Sequence, residues 1–421
     1  MRIMVVGGGG REHAIIKKIK ENKNVTEIFA LPGNAGMLGD AKTVPIGAKD
    51  LDGICAFAKE NKIDYAIVAP DDPLCLGCVD RLSEIGIPAF GPCKDAAIIE
   101  GSKVFSKNLM KKYSIPTAQY EVFERAEDAL EYVKSCKLPT VIKADGLALG
   151  KGVIIAKTRA EAELAITEIM TEGKFGESGN KIVIEEFLEG PEVSVLAFTD
   201  GVTIKPMVSS MDHKRIGDFD TGLNTGGMGT VAPNPYYTDD IAKICMEKIF
   251  IPTVEAMNKE GRTFRGCLYF GLMLTKDGPR VIEYNCRFGD PETQVVLPLL
   301  KSDLLEIMLA TTNGKLSEAE VEFSDEYATC VIMASGGYPE KYKSGFEITY
   351  PDEVRDSIVF AGAKLDGDKL LTNGGRVLGV VSVEKTLTES IESSYEKVKK
   401  IHFEGAYYRN DIGKRAEKAL K

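Results

Sequence analysis

The sequence predicts a multidomain fold of α/β and α+β class: a parallel-sheet unit, a longer mixed central unit, and a small α+β unit at the end. Three observations predict it. The chain has 421 residues, more than one hydrophobic core organises. Its first hundred residues alternate short apolar strands with amphipathic helices, the rhythm of a parallel sheet covered on both faces. That rhythm stops near Gly101, where the chain becomes strand-rich.

In chain order, the pattern predicts a strand over 3–6, a helix over 11–21, a strand over 28–30, a helix over 50–60 and a strand over 65–68. A helix over 74–85 and a strand over 88–90 complete the first unit. A helix over 102–113 ends before Ile115-Pro116, because the residue before a proline avoids the helical region. A compact unit follows: strand 140–143, a glycine loop, strand 153–156, helix 159–171 and strand 181–186. The region from there to about 312 is rich in strands and holds one clear helix, over 238–260. Strands over 328–334, 358–360 and 376–383, with a helix over 388–401, make the last unit, expected to be separate. The boundaries expected are 1–102, 103–325 and 326–421.

Composition narrows the function. Net charge is -10, with no basic cluster that would neutralise phosphates along a nucleic acid. No apolar run is long enough to cross a bilayer, and the apolar part of the N-terminus is too short for a signal peptide. A cytoplasmic location with no membrane partner is expected. Cys75 and Cys78 have CxxC spacing, but no second pair exists and the chain holds three histidines. Zinc is therefore not expected, and the nine cysteines read as reduced thiols.

Two glycine loops carry chemistry. Gly7-Gly8-Gly9-Gly10 follows a strand and opens a helix, so its N–H groups can face an anion. It is not a dinucleotide fingerprint. The third glycine falls on Glu12 or His13, and no acid ends the second strand. A Rossmann-like unit holding a small anionic substrate fits better. The second loop runs from Lys143 to Gly152. It fails as a Walker A loop, because Gly146 and Gly150 are too close and Gly152 stands where a hydroxyl should bind magnesium. A strand–loop–strand hairpin can nonetheless close on phosphates, with Lys143 as the cation. It can equally be an ordinary hairpin with a surface lysine.

The most informative stretch is 279–289. Alternation along an extended strand puts Glu283, Asn285 and Arg287 on one face. A carboxylate beside an amide oxygen suits a hard cation such as magnesium. A guanidinium one step further can stabilise charge on a transferring phosphoryl group. Residues 212–229, with Asp212-His213-Lys214-Arg215 and Asn224-Thr225-Gly226-Gly227, form a long polar segment of the kind that is usually functional. His213 reads as a general base or as a satisfied core histidine.

These motifs occur together, in order, in one family. The chain resembles the phosphoribosylamine–glycine ligase family of ATP-grasp enzymes over essentially its whole length. The resemblance rests on Gly9-Gly10-Arg11-Glu12-His13-Ala14, Pro32-Gly33-Asn34-Ala35-Gly36, Gly101-Ser102-Lys103, the 141–152 loop and Ile184-Glu185-Glu186-Phe187-Leu188. It rests further on 212–215, 224–229, Thr372-Asn373-Gly374-Gly375-Arg376 and, above all, Arg287-Phe288-Gly289-Asp290-Pro291-Glu292. It implies a central ATP-grasp domain with a lid at about 120–187. It also implies a reaction: ATP, glycine and 5-phosphoribosylamine give glycinamide ribonucleotide, ADP and phosphate. ATP is then a co-substrate, with Mg2+ or Mn2+, and the enzyme is expected to be a monomer. Carried over by position, Lys103 and Lys143 hold ATP phosphates under a lid formed by Gly146, Gly150 and Gly152. Glu185, Glu186, Phe187 and Leu188 line the adenine slot and Glu192 takes the ribose. Glu283 and Asn285 bind the metal, and Arg287, Asp290 and Asp212 are catalytic. Gly9, Gly10, Asn34, Asp71, Asn224, Thr225, Gly226 and Arg376 contact substrates. In many ATP-grasp enzymes the preceding strand adds a carboxylate ligand; here it reads Gly271-Leu272-Met273. Another ATP-grasp ligase acting on a different acid or ribotide is the alternative.

Overall fold

The computed structural model describes residues 1–147 and 152–420. The N-terminal sheet is parallel throughout, in the order Lys42–Thr43, Glu27–Pro32, Arg2–Gly7, Tyr65–Val68, Ala89–Phe90. Both of its faces are covered. Met4 and Val6 pack into one core, while Ile3 and Val5 pack into another. This is why the central strand is apolar at consecutive positions rather than alternate ones. The expected 74–85 helix is two, Asp71–Leu76 and Cys78–Glu84, because Gly77 between them takes φ 92. Only glycine adopts that backbone region without penalty.

The central region holds two antiparallel sheets. One orders Ile204–Pro206, Glu192–Thr199, Gly266–Thr275 and Gly278–Asn285; the other orders Tyr120–Phe123, Ile182–Glu186, Thr140–Ala144 and Val153–Ala156. The second sheet has its own small core with the Ala126–Val133 and Arg159–Ile166 helices. The expected 159–171 and 238–260 helices each contain a π turn, at Thr167–Thr171 and Met246–Phe250. Helices Lys94–Gly101, Ala126–Val133, Thr293–Leu299 and Leu304–Thr312 were not among the expected elements.

The last hundred residues do not build their sheet alone. Their sheet, Tyr327–Ser335, Arg376–Glu384 and Ile358–Phe360, continues through Gly229–Ala232 to Met211–Asp212. The polar 212–229 segment thus begins and ends inside the C-terminal sheet, and Met211 and Val231 belong to its core. The sequence pattern cannot show this pairing, because the two short strands lie about a hundred residues upstream. Among the described residues, no helix is long and apolar enough to cross a membrane.

Two buried histidines stitch these parts together. His13 bonds Asp40 through Nε2 (3.1 Å) and accepts the Phe360 N–H at Nδ1 (2.8 Å). His213 places Nδ1 on the Gly229 carbonyl (3.1 Å) and accepts the Gly413 N–H at Nε2 (3.2 Å). Each ring thus donates from one nitrogen and accepts at the other, which only the neutral form can do. Burial lowers the pKa of His213 to about 4, with nearby Arg409 adding to the effect. Between that value and its ordinary 6.5 the unfolded chain binds the proton and the fold does not, so stability falls as pH falls. A loss on the order of 3 kcal/mol is expected below pH ~4 from this group. Thermal melts from pH 7.5 to 4 should show it, and a His213→Gln variant should flatten the slope; an unchanged slope in that variant rules the account out.

Candidate active site

The Gly278–Asn285 strand sets the site. It pairs with Gly266–Thr275, and its register slips between Gly271 and Leu272, so that Gly271 faces Glu283 while Leu272 faces Val281. Glu283, Asn285 and Arg287 all line one cavity of about 760 Å³, with Ile282 and Tyr284 beside them, and Tyr284 and Cys286 also belong to the core beneath. Glu283 and Asn285 of the strand thus share the cavity with Arg287 beyond its end. Gly271 leaves room for the acid, since a Cβ there would stand 3.0 Å from Glu283 Cγ.

Cations surround Glu283. Lys214 Nζ lies 3.7 Å from it and 3.2 Å from Glu192. Burial opposes the charge on Glu283, but Lys214, Lys143, Lys103 and Arg287 outweigh it and hold the pKa below its ordinary value. Lys103 reaches across to the Gly146 carbonyl (2.8 Å). Lys143, 3% exposed, bonds the Ile282 carbonyl (3.0 Å) and Glu185 (3.0 Å). It is thus a buried, aimed cation and not an ordinary surface lysine. Glu185 also pairs with Lys107 (2.9 Å), which in turn donates to Thr117 Oγ1 (2.8 Å). Burial lowers the Lys107 pKa to about 8, against the pull of Glu185. The Glu185 side chain therefore orients two lysines. Glu186, Phe187 and Leu188 follow it along the wall, and Glu186 is tied to Arg280 (3.0 Å).

At the other end, Arg287 binds Glu100 (2.9 Å) and stands 4.0 Å from Asp71. The Glu100 carboxylate also accepts the Cys286 N–H (2.7 Å), and the Asn285 amide nitrogen is 3.1 Å from it. With that nitrogen committed, the Asn285 oxygen is the atom left for a cation. Burial raises the Glu100 pKa, with Arg287 opposing and Asp71 adding to the rise. Asp290 takes Arg376 (3.0 Å) and Gln294 (2.7 Å). Arg376 also donates to the carbonyls of Gly226 (2.7 Å) and Asp290 (2.9 Å). Asp212 shares the wall with Glu292, Asn224, Thr225 and Gly226. Burial and the Glu292 carboxylate push its pKa well above the ordinary range, with Lys214 opposing. Ser194 links Glu292 (3.1 Å) to the Tyr269 hydroxyl (2.8 Å). His213 is outside the cavity wall, and both its nitrogens are occupied, so the general-base alternative falls away.

Three expected substrate residues are not on the wall: Gly9, Gly10 and Asn34. Asn34 donates to the carbonyls of Gly8 (2.8 Å) and Phe360 (3.1 Å) and accepts from Gly36 (2.8 Å), so it braces the turn. The Gly9 N–H donates to Glu12 Oε2 (2.6 Å), and Arg11 donates to Oε1 of the same carboxylate (2.6 Å). The residue that breaks the dinucleotide fingerprint thus itself covers the turn, and Arg11 beyond it faces the cavity. Gly146 stands behind Lys103, Gly152 is on the wall, and Gly150 is outside the described residues. The sequence reading missed Arg11, Glu100, Lys107, Lys214 and Glu292. Lys107 was within reach of it, four residues beyond Lys103 on one helix and so on the same face.

Among the described residues, no group of three or more His, Cys, Asp or Glu side chains is placed to hold a metal. Glu283 and Asn285 offer hard oxygens side by side, which fits an ion that takes its remaining ligands from water and nucleotide phosphates.

Comparison with known proteins agrees with this geometry. Three phosphoribosylglycinamide synthetase models match: the N domain over 1–100, the ATP-grasp (A) domain over 101–293 and the C domain over 328–415. The phosphoribosylamine–glycine ligase of Caldanaerobacter subterraneus is 48% identical over 98% of this chain and 99% of its own. That of Clostridium acetobutylicum is 47% identical over 98% of this chain and 100% of its own. The crystal structure of the Thermotoga maritima ligase superposes with a TM-score of 0.87 at 38% identity, covering 98% of this chain and 100% of that one. A biotin carboxylase domain from Hydrogenobacter thermophilus shares the fold alone, with a TM-score of 0.73 at 15% identity over 100% of this chain and 94% of that one. With Glu283, Asn285 and Arg287 sharing a cavity with Lys103 and Lys143, and family models matched along most of its length, this chain belongs to the phosphoribosylglycinamide synthetase family of ATP-grasp ligases.

Proposed function

We propose that this protein joins glycine to 5-phosphoribosylamine, cleaving ATP to ADP and phosphate. The observation that carries the reading is the shared wall: Glu283, Asn285 and Arg287 on one side, Lys103 and Lys143 on the other. Glu186, Phe187 and Leu188 hold the adenine, Glu192 the ribose, and Lys103 and Lys143 the phosphates, while residues 120–187 close as the lid. Glu283 and Asn285 would hold a magnesium or manganese ion, which would supply positive charge beside the phosphate oxygens.

The glycine carboxylate attacks the γ-phosphorus and ADP leaves. Arg287, anchored by Glu100, faces the resulting acyl phosphate. The amine, oriented by Asp212 on the cavity wall, then attacks the acyl carbon, and phosphate leaves with the amine proton. Asn224, Thr225, Gly226 and Asp290 order the acid and the amine, and Asp71 and Arg376 order the ribotide. No covalent enzyme intermediate is needed; the rate comes from positioning and charge neutralisation.

ADP release in the presence of 5-phosphoribosylamine and ATP should depend on glycine. Release with formate or bicarbonate, and none with glycine, would replace this reading with another ATP-grasp ligase. Arg376→Ala should raise the KM for 5-phosphoribosylamine by about tenfold or more, because it frees the Asp290 loop that the ribotide meets. The KM for ATP should change less than about twofold. Equal effects on both substrates would remove Arg376 from the ribotide site.

A further inference from the structure

The hairpin of Arg215–Gly217 and Thr221–Asn224 carries the wall with Arg215, Asp220 and Asn224, and its base carries Asp212 and Lys214. Within the hairpin, Arg215 donates to the Gly222 carbonyl (2.8 Å) and Thr221 to the Asp218 carbonyl (2.9 Å). Its two strands pair only with each other, and an isolated two-stranded hairpin is marginal. Its tip has no apolar packing: Phe219 is 83% exposed and Leu223 49%. Phe219 and Asp220 both take left-handed backbone, φ 58 and φ 56, which non-glycine residues hold only when their surroundings force it.

The force comes from the far end of the chain. Arg409 is 1% exposed, and every nitrogen of its guanidinium is bonded. Nε and Nη2 donate to the two oxygens of Asp411 (both 2.8 Å), and Nη1 donates to the Arg215 carbonyl (3.0 Å) and Asp220 (2.9 Å). Asp411 in turn accepts the Phe219 N–H (2.8 Å), which sets the left-handed residue itself. Asn410 donates twice to Asp218, and the Tyr407 hydroxyl donates to the Ile216 carbonyl (2.8 Å).

We propose that segment 407–415 is a grip that shapes this hairpin, with Arg409 as a positioning residue for the wall that orders glycine and the amine. Arg409 touches no substrate; it acts through Arg215, Asp220 and Asp411. The substrate assignment rests on the function proposed above, whereas the grip itself does not.

The test uses the full chain carrying Arg409→Gln or Asp411→Asn. Hydrogen exchange of the 213–226 amides should quicken by about tenfold, with the Gly266–Thr275 strand unchanged. The KM for glycine should rise by about fivefold or more, while ATP affinity measured by calorimetry without glycine stays within about twofold. Unchanged exchange at 213–226, or equal losses for ATP and glycine, overturns the proposal. So does failure of both variants to fold, which would make the segment a strut. The exchange measurement needs no substrate. A wild-type chain inert toward glycine would therefore sink the ligase reading, while the grip would stand or fall on the exchange rates alone.

Discussion

Replacing Glu283 by alanine is expected to abolish turnover, with a loss of at least about 10³-fold, and to remove the magnesium dependence of ATP binding. The remaining oxygen donor on that strand, Asn285, is neutral and cannot offset the charge of a divalent ion. The loss should be functional rather than structural. Glu283 is one-third exposed at the cavity wall, and its neighbour Lys214 keeps Glu192 at 3.2 Å. Melting temperature should therefore stay within about 2 °C, as for substitutions outside the core. ADP release and calorimetric titration of ATP at several magnesium concentrations give the check. A variant that turns over at near wild-type rate, or that still binds ATP more tightly as magnesium rises, would take the metal away from this strand.

Arg287→Met should show two losses that can be separated. Without the guanidinium, charge developing on the acyl phosphate is unscreened, and turnover should fall by about 10²- to 10³-fold with ATP affinity nearly unchanged. The fold suffers as well, because Glu100 is 8% exposed and loses the cation 2.9 Å away. Leaving one member of a buried ion pair alone costs about 3–5 kcal/mol. The pH dependence has a definite sign. The Glu100 pKa is already raised by burial, with Arg287 opposing, so removing Arg287 raises it further. A carboxyl that binds its proton more tightly when folded gives stability that is lost as pH rises above its unfolded value. The variant's loss of melting temperature relative to the wild-type chain should therefore be smaller at pH 5 than at pH 8. Adding Glu100→Gln should restore the melting temperature at pH 8 without restoring turnover. Restored turnover in the double variant would mean that Arg287 serves only to hold Glu100.

Much of the site was legible in the sequence because its chemistry lies on one short extended segment, where a period of two fixes the face. The pairing of Glu283 with Asn285 follows from that period alone. The first sheet was equally legible, since its strands are apolar on both faces and separated by amphipathic helices. What could not be read was contact across long separations. Glu100 lies 187 residues from Arg287, and Lys214 acquires its meaning only when folding brings Glu192 and Glu283 to either side of it. The turn at Gly7 to Gly10 carries a local contact that its glycines do not announce. Its N–H groups are those an anion would seek, but Glu12 on the following helix reaches back to one of them. The break at Gly77 escaped because one glycine inside an apolar helical pattern is usually tolerated.

Met211–Asp212 and Gly229–Ala232 are strands of the sheet completed by the last hundred residues, so that sheet draws on both sides of position 326. A fragment ending there would carry an unsatisfied edge, with the polar segment hanging from it. A chimaera that exchanged only the C-terminal region with a relative would have to match that relative's region to an alien pair of short strands. Evolution of this protein by simple swapping of its last segment is accordingly obstructed, and changes on the two sides of that seam are expected to occur together.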